Sequence, residues 1–351
     1  MSLRSRVVRT TLTSATGLVL AGASLIALPG TAHAVAVSNT SHQALRQVNE
    51  QGPASCTVSN PSVNDTNTFT SNGATFTRTA SASSLITDTG DNTDTTTVNS
   101  STVSALRAKE AGGQLASLHL DAKIATTMTS AQGLGTDCDP QVLGAAIASY
   151  ETVLTTARWV TVDGFLPGSG TATFIFNRMF PASPGVSEIF VLQGTQKGKA
   201  HLEFFLPAGT YGTSTTITNT FNSPQSASEP TSQTVTPSID ITFSAPGSAI
   251  DKSAGDGTKY AKFNNATDCA TKQLKGKFLK AAGTKAKPAL KKAIFKVNGK
   301  KSKVVKGAKA IQGGKIALKN LPASDNIELK ATFKLVGGGS ATLTRTYRSC
   351  G

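Results

Sequence analysis

Between Ile327 and Leu335 every second residue is apolar: Ile327, Leu329, Ala331, Phe333 and Leu335 alternate with Glu328, Lys330, Thr332 and Lys334. A period of two sends successive side chains to opposite faces of an extended chain, so this segment is a strand with one oily and one charged face. The same pattern recurs upstream. Leu118, Leu120, Ala122 and Ile124 alternate with His119, Asp121 and Lys123, and Ala200, Leu202, Phe204 and Leu206 with His201, Glu203 and Phe205. Tyr211, Thr213, Thr215, Ile217, Asn219 and Phe221 share one face after Pro207-Ala208-Gly209, and Trp159–Val162, Thr171–Phe176 and Ser238–Phe243 are further strand candidates. With Gly and Pro as punctuation, this predicts an all-β chain of two sandwich-like domains, the first a sandwich or jelly roll. Two segments read as helix instead: Val103–Glu110, and the stretch after Asp139-Pro140, where Val142, Leu143, Ala146, Ile147 and Tyr150 fall at helical spacing. Residues 35–66 and 223–238, rich in Ser, Thr, Asn and Pro, are expected to run extended or mobile.

Residues 1–34 read as a signal peptide: Arg4, Arg6 and Arg9, then a weakly apolar run from Gly17 to Leu28, then the small-x-small site Ala32-His33-Ala34. The apolar run is too short to span a bilayer as a helix, and no later segment approaches that length. The sequence therefore predicts a secreted protein without a transmembrane segment, any retention at the cell surface being non-covalent. Charge then splits the remainder. Residues 35–268 carry 12 basic and 18 acidic side chains, whereas residues 269–351 carry 20 basic and only two acidic, Asp325 and Glu328. This places a domain boundary in the polar stretch before Cys269, giving an N-terminal domain at 35–265 and a basic C-terminal domain at 266–351. Cys56, Cys138, Cys269 and Cys350 are an even set in an oxidising compartment and read as two disulfides. Four cysteines allow three pairings; Cys56–Cys138 with Cys269–Cys350 keeps each crosslink inside one domain and is the expectation.

The basic domain divides into about six or seven short strands. Ala293, Phe295 and Val297 lead into Asn298-Gly299, a dipeptide that readily takes the positive φ angles of a type I′ hairpin turn, and Lys303-Val304-Val305 returns. Leu274–Leu279 and Ile316–Leu321 add two strands, and Gly337-Gly338-Gly339 reverses the chain into Ala341–Tyr347. The Val297-Asn298-Gly299-Lys300 turn, the Leu321-Pro322-Ala323 step and the closing Thr344-Arg345-Thr346-Tyr347-Arg348-Ser349-Cys350 resemble immunoglobulin-like modules appended to bacterial secreted proteins. That resemblance covers about a quarter of the chain. It implies the fold, a pairing between cysteines of the first and last strands, and a role in attachment, spacing or binding. The run Leu206-Pro207-Ala208-Gly209-Thr210-Tyr211 is similar to a strand-turn-strand step of secreted bacterial sandwich domains, and no activity is carried over from it.

Catalytic signatures are sparse. No nucleophile elbow, zinc-protease helix or phosphate-binding loop occurs, no cofactor is implied, and the isolated cysteines do not match a metal site. Two strand motifs, His119-Leu120-Asp121 and His201-Leu202-Glu203, each place an imidazole beside a carboxylate; were the strands paired, four metal-ligand groups would converge. Alternatively His201 acts as a base oriented by Glu203, the reading of a secreted hydrolase. The simpler reading is two solvated polar strand faces. The turn Asp88-Thr89-Gly90-Asp91-Asn92-Thr93-Asp94 offers oxygen ligands of the calcium type but lacks a closing bidentate Glu. Asp137 and Asp139 read as turn and cap residues. A carbohydrate-binding module would present exposed aromatics, and Trp159, the single tryptophan, sits where a strand would place it in a core. Lys291, Lys292, Lys296, Lys300, Lys301, Lys303, Lys306 and Lys309 cluster around the Asn298-Gly299 hairpin and form the candidate polyanion-binding surface. Anionic cell-wall polymer or polysaccharide is the expected partner. Nucleic acid is not, because Lys far exceeds Arg, aromatics for base stacking are few, and export removes the target. The sequence thus reads as an exported, non-catalytic surface or extracellular binding protein, its edge-strand lysines alternatively serving only to keep strands apart.

Overall fold

The computed structural model describes residues 37–50, 56–131, 138–167, 170–179, 187–194, 198–224, 230–283, 287, 289–307, 311 and 314–351. The expected leader 1–34, Asp137 and Lys309 lie outside these residues. Strands dominate, and the named helical elements among the described residues are two 3₁₀ turns, Asp256–Lys259 and Lys280–Ala282. The chain divides into two compact units: residues up to Thr156 with Val160–Phe243, and Ala157–Trp159 with Ser244–Gly351.

The first unit contains β1 (Ser38–Glu50), β2 (Cys56–Val58), β3 (Ser62–Asn67), β4 (Asn72–Asp88), β5 (Thr95–Ala111), β6 (Gln114–Ser130) and β7 (Pro140–Leu154). It continues with β8 (Arg158–Leu166), β9 (Gly170–Met179), β10 (Ser187–Gly194), β11 (Gly198–Leu206), β12 (Gly209–Asn222), β13 (Ser232–Val235) and β14 (Ser238–Ser244), of which Arg158, Trp159 and Ser244 group with the second unit. One sheet runs β10-β9-β12-β7-β1-β3 and the other β11-β8-β14-β6-β5-β4-β2, with β13 also on β6. Their inner faces meet in one core, with Leu118, Leu120 and Ile124 of β6 and Ile239 and Ile241 of β14 on one side. Ala146, Ala148 and Tyr150 of β7 and Tyr211 and Ile217 of β12 lie on the other. All six residues of β12 read onto one face, Tyr211 through Phe221, are buried.

Both helical expectations are overturned. Val103–Glu110 lies within β5, paired to β4 and β6, and the stretch after Asp139 is β7, paired to β1 and β12 along its length. Hydrogen bonding on both sides overrides a local capping signal. The inward positions of β7 include Gly144, Ala146 and Ala148, whose small side chains hid the period of two. In the segment 35–66, expected to run extended or mobile, the described part is extended, and β1 is an interior strand between β7 and β3.

Small residues at that seam have a steric reason. A Cβ on Gly144 would lie 2.4 Å from Ile124 Cγ2 and 2.8 Å from Thr102 Oγ1 of the facing sheet. Gly144→Ala is therefore expected to destabilise the first unit by about 1–3 kcal/mol, the usual cost of overpacking. Denaturant unfolding measures it, and an unchanged midpoint would mean Ile124 can swing aside.

Beside this seam the interior turns polar. Arg46 of β1 is fully buried, its Nε donating to Ser100 Oγ (2.6 Å), NH1 to the Asn60 carbonyl (2.5 Å) and NH2 to Ser84 Oγ (2.5 Å). His42, two pleats away, is also fully buried and shares a 2.7 Å hydrogen bond through Nε2 with Ser104 Oγ. Its Nδ1 has no protein partner among the described residues. Burial, followed by the nearby Arg78 charge, pushes the His42 pKa down to about 4, while Asp65 opposes the shift. The Cys56–Cys138 disulfide closes this end of the core (Cα–Cα 6.0 Å), linking β2 of one sheet to the residue pair before β7 of the other.

The second unit contains β15 (Ala261–Phe263), β16 (Leu274–Phe278), β17 (Leu290–Val297), β18 (Lys300–Lys306), β19 (Lys315–Leu318), β20 (Ile327–Leu335) and β21 (Ser340–Tyr347). A three-stranded sheet, β15-β16-β19, faces a four-stranded sheet, β18-β17-β20-β21. The chain changes sheet after β16, β18 and β19, giving the three-on-four arrangement of a small immunoglobulin-like sandwich. Phe295 of β17 joins the layers, its ring centroid 6.0 Å from Phe263, 6.3 Å from Phe278 and 6.3 Å from Phe333. Asn298 (φ 48°) and Gly299 (φ 75°) both occupy the left-handed region that the β17–β18 turn requires. Cys269–Cys350 is formed, with Cα atoms 5.5 Å apart.

This unit takes in Ser244–Asn265, which the charge boundary assigned to the N-terminal domain. Tyr260, Ala261 and Phe263 belong to its core. Ala249 and Ala254 bridge to Tyr347 and Thr344, and Asp251 and Asp256 accept hydrogen bonds from the backbone N–H groups of Thr346 (2.9 Å) and Thr342 (2.8 Å). The free edge of β21 is thereby covered. Charge counting missed this because Ser244–Asn265 is nearly neutral, with Asp251 and Asp256 against Lys252, Lys259 and Lys262, and so looks unlike the strongly basic strands it serves.

Candidate polyanion-binding face

The outward face of β18-β17-β20 is built by the same alternation that fills the core. Ala293, Phe295 and Val297 point inward, so Lys292, Ile294 and Lys296 point outward. Lys292 is paired with Lys306 on one side and Lys334 on the other; Lys296 is paired with Lys301 and Lys330. Two rows of three lysines thus cross three adjacent strands. Strand spacing puts neighbours in a row about 4.8 Å apart, and four residues of strand put the rows about 13 Å apart. Between them runs a half-exposed row of Val304, Ile294 and Thr332. None of the six ammonium groups has an ion-pair partner among the described residues.

The structure redistributes the eight predicted lysines. Lys292, Lys296, Lys301 and Lys306 come together on this face, and Lys330 and Lys334 of β20 join them. The latter two were visible in the Ile327–Leu335 alternation, but only strand register brings them beside the hairpin. Lys291 is exposed where the β17–β20 register shifts, and Lys300 is exposed at the turn. Lys303 departs from the expectation. It pairs opposite inward-facing Phe295 and donates from Nζ to the Ala317 carbonyl (3.1 Å), because the register shift between Phe295 and Lys296 turns it toward the other sheet.

The histidine motifs lie on the outer face of the larger sheet of the first unit, but β14 and β8 separate β6 from β11. His119 is held by Asp240 (2.7 Å) and Asp121 (3.1 Å), and His201 by Asp163 (2.6 Å) rather than Glu203. The four groups do not converge, and among the described residues no set of three His, Cys, Asp or Glu is placed to hold a metal. In the Asp88–Asp94 turn the carboxylates serve the backbone: Asp88 accepts from the Gly90 N–H (2.7 Å), and Asp91 from the Thr93 N–H and hydroxyl. Those hydrogen bonds hold the Asp91 pKa below its ordinary value. Trp159 is half-buried, its indole N–H donating to the Ser349 carbonyl (3.1 Å).

No family model and no curated protein matches the chain. Among solved structures, the adhesin domain of Epf from Streptococcus pyogenes aligns over 80% of this chain and 92% of that one, at 9% identity and a TM-score of 0.19. A superposition that loose carries no argument for fold or role. Among the described residues no helix is long and apolar enough to cross a membrane.

Proposed function

We propose that the protein is an exported, non-catalytic binding protein whose C-terminal sandwich adsorbs to anionic cell-wall polymer or acidic polysaccharide through the lysine rows on β18-β17-β20. The supporting observation is where the lysines stand. Lysine on an edge strand blocks sheet extension, which accounts for β18 but not for Lys292, Lys296, Lys330 and Lys334 on interior strands. Like charges directly opposite one another destabilise a sheet, so six lysines in register are a standing cost that an anionic ligand offsets. Two disulfides suit an oxidising compartment.

The test is sedimentation of the purified protein, from Val35 onward, with isolated anionic cell-wall material across a salt series. A lysine near an anionic surface contributes on the order of 1 kcal/mol. Replacing Lys292, Lys296, Lys330 and Lys334 together by Gln is expected to weaken binding roughly 100- to 1,000-fold. Wild-type binding should fall steeply with salt; retention that ignores salt would sink the proposal.

A further inference from the structure

The opposite side of the same sandwich carries a second cationic row that the hairpin does not include. Lys262 of β15 is paired with Lys277 of β16, which is paired with Lys315 of β19, so one lysine stands on each strand of the three-stranded sheet. All three are exposed, as is Lys275 one pleat away. Together with Asn264, Asn265 and the main chain at Gly276 they line an open groove of about 690 Å³. One carboxylate sits at its rim, Asp268, 3.9 Å from Lys275. The row itself has no ion-pair partner among the described residues. β16 is the middle strand, so edge protection does not explain Lys277.

The lining suits phosphate. Every cation in the lining is a lysine, a compact charge that meets a phosphate oxyanion from any direction without the planar fork by which arginine grips carboxylate and phosphate alike. Asn264 and Asn265 contribute amides at the same wall, although the Asn265 side-chain oxygen already accepts from Arg345 NH2 (2.9 Å).

We infer that this groove is a second anion site, for the phosphates of a linear polymer, and that the C-terminal unit therefore joins two polymer strands. The bridging half rests on the face proposed above; the groove stands on its own lining. Two sheets packed face to face lie about 10 Å apart, and their outer surfaces point in opposite directions. One strand lies on the β18-β17-β20 face while another occupies the groove. Two weak sites so arranged gain avidity on a multivalent network without any new contact.

The experiment uses the whole protein and inorganic polyphosphate. A short labelled chain reports stoichiometry by fluorescence titration, and a long chain reports bridging by light scattering. Wild type is expected to bind two short chains and to condense the long one. Lys262→Gln/Lys277→Gln/Lys315→Gln should bind one short chain and lower the scattering at least tenfold; Lys277→Gln alone, the centre of the row, covers a triple variant that folds poorly. A groove variant with unchanged stoichiometry and scattering overturns the inference. Lys292→Gln/Lys296→Gln/Lys330→Gln/Lys334→Gln separates the two ideas. If it binds like wild type while the groove variant does not, the face reading and the bridging fall and the groove remains. Equal condensation of polygalacturonate would overturn the preference for phosphate.

Discussion

Phe295→Ala is expected to destabilise the C-terminal unit by about 3–5 kcal/mol, the range for deleting a buried aromatic. Phe295 is fully buried, and its ring touches aromatic partners in both sheets. Each such pair contributes about 0.5–1.5 kcal/mol beyond area burial. The void would open at the centre of the sandwich, where strands paired on both sides cannot collapse into it. Whole domains are stable by only about 5–15 kcal/mol, so one substitution removes a large fraction. The single tryptophan reports this unit, because Trp159 groups with it and hydrogen-bonds Ser349. Its emission should follow denaturant with a midpoint well below wild type. A shift worth under about 1 kcal/mol would contradict the layer-joining role of this ring.

Acidification is expected to weaken the other unit. His42 has its pKa lowered to about 4 by burial first and by Arg78 second. The unfolded chain takes up a proton near pH 6.5, but the folded unit takes it up only near 4. Stability from a neutral His42 is therefore complete above about pH 6.5 and is lost as pH falls from there to about 4, with a total of about 3 kcal/mol. Below that window both states are protonated and His42 adds no further slope. Thermal unfolding of the first unit at pH 7, 5.5 and 4 measures this. His42→Gln keeps a group that can reach Ser104 and should flatten the slope between pH 6.5 and 4. The same slope in that variant would assign the acid sensitivity to another group.

Large apolar side chains made much of the fold legible. Leu118 through Ile124, Tyr211 through Phe221 and Ile327 through Leu335 were read onto the correct faces because their inward positions are mostly bulky or their partners charged. β7 was illegible for the converse reason: its inward side is lined with Gly144, Ala146 and Ala148, while Leu143 and Ile147 point away from the core. β1 failed differently. Its inward residues include His42 and Arg46, which no hydropathy pattern would bury; serines on β4 and β5 solvate them, and those partners are 38 to 62 residues away in sequence. Both disulfide pairings followed from keeping each crosslink within one domain. The hairpin lysines could be named but not sorted, because the register shift that sends Lys303 inward and Lys301 outward is not written in composition. Lys330, Lys334 and the Lys262–Lys277–Lys315 row needed strand order.

The Cys269–Cys350 bond also fixes how this unit responds to a pull. The bond connects two points 81 residues apart in sequence, and β16 to β21 all lie between them. Tension entering before Cys269 and leaving at Cys350 passes through the sulfur–sulfur bond instead of the hydrogen-bonded ladders. About 270–290 Å of contour length stays locked until that bond is reduced. Under a pull applied between those two points β16 to β21 stay together, and only the segment ahead of Cys269 extends.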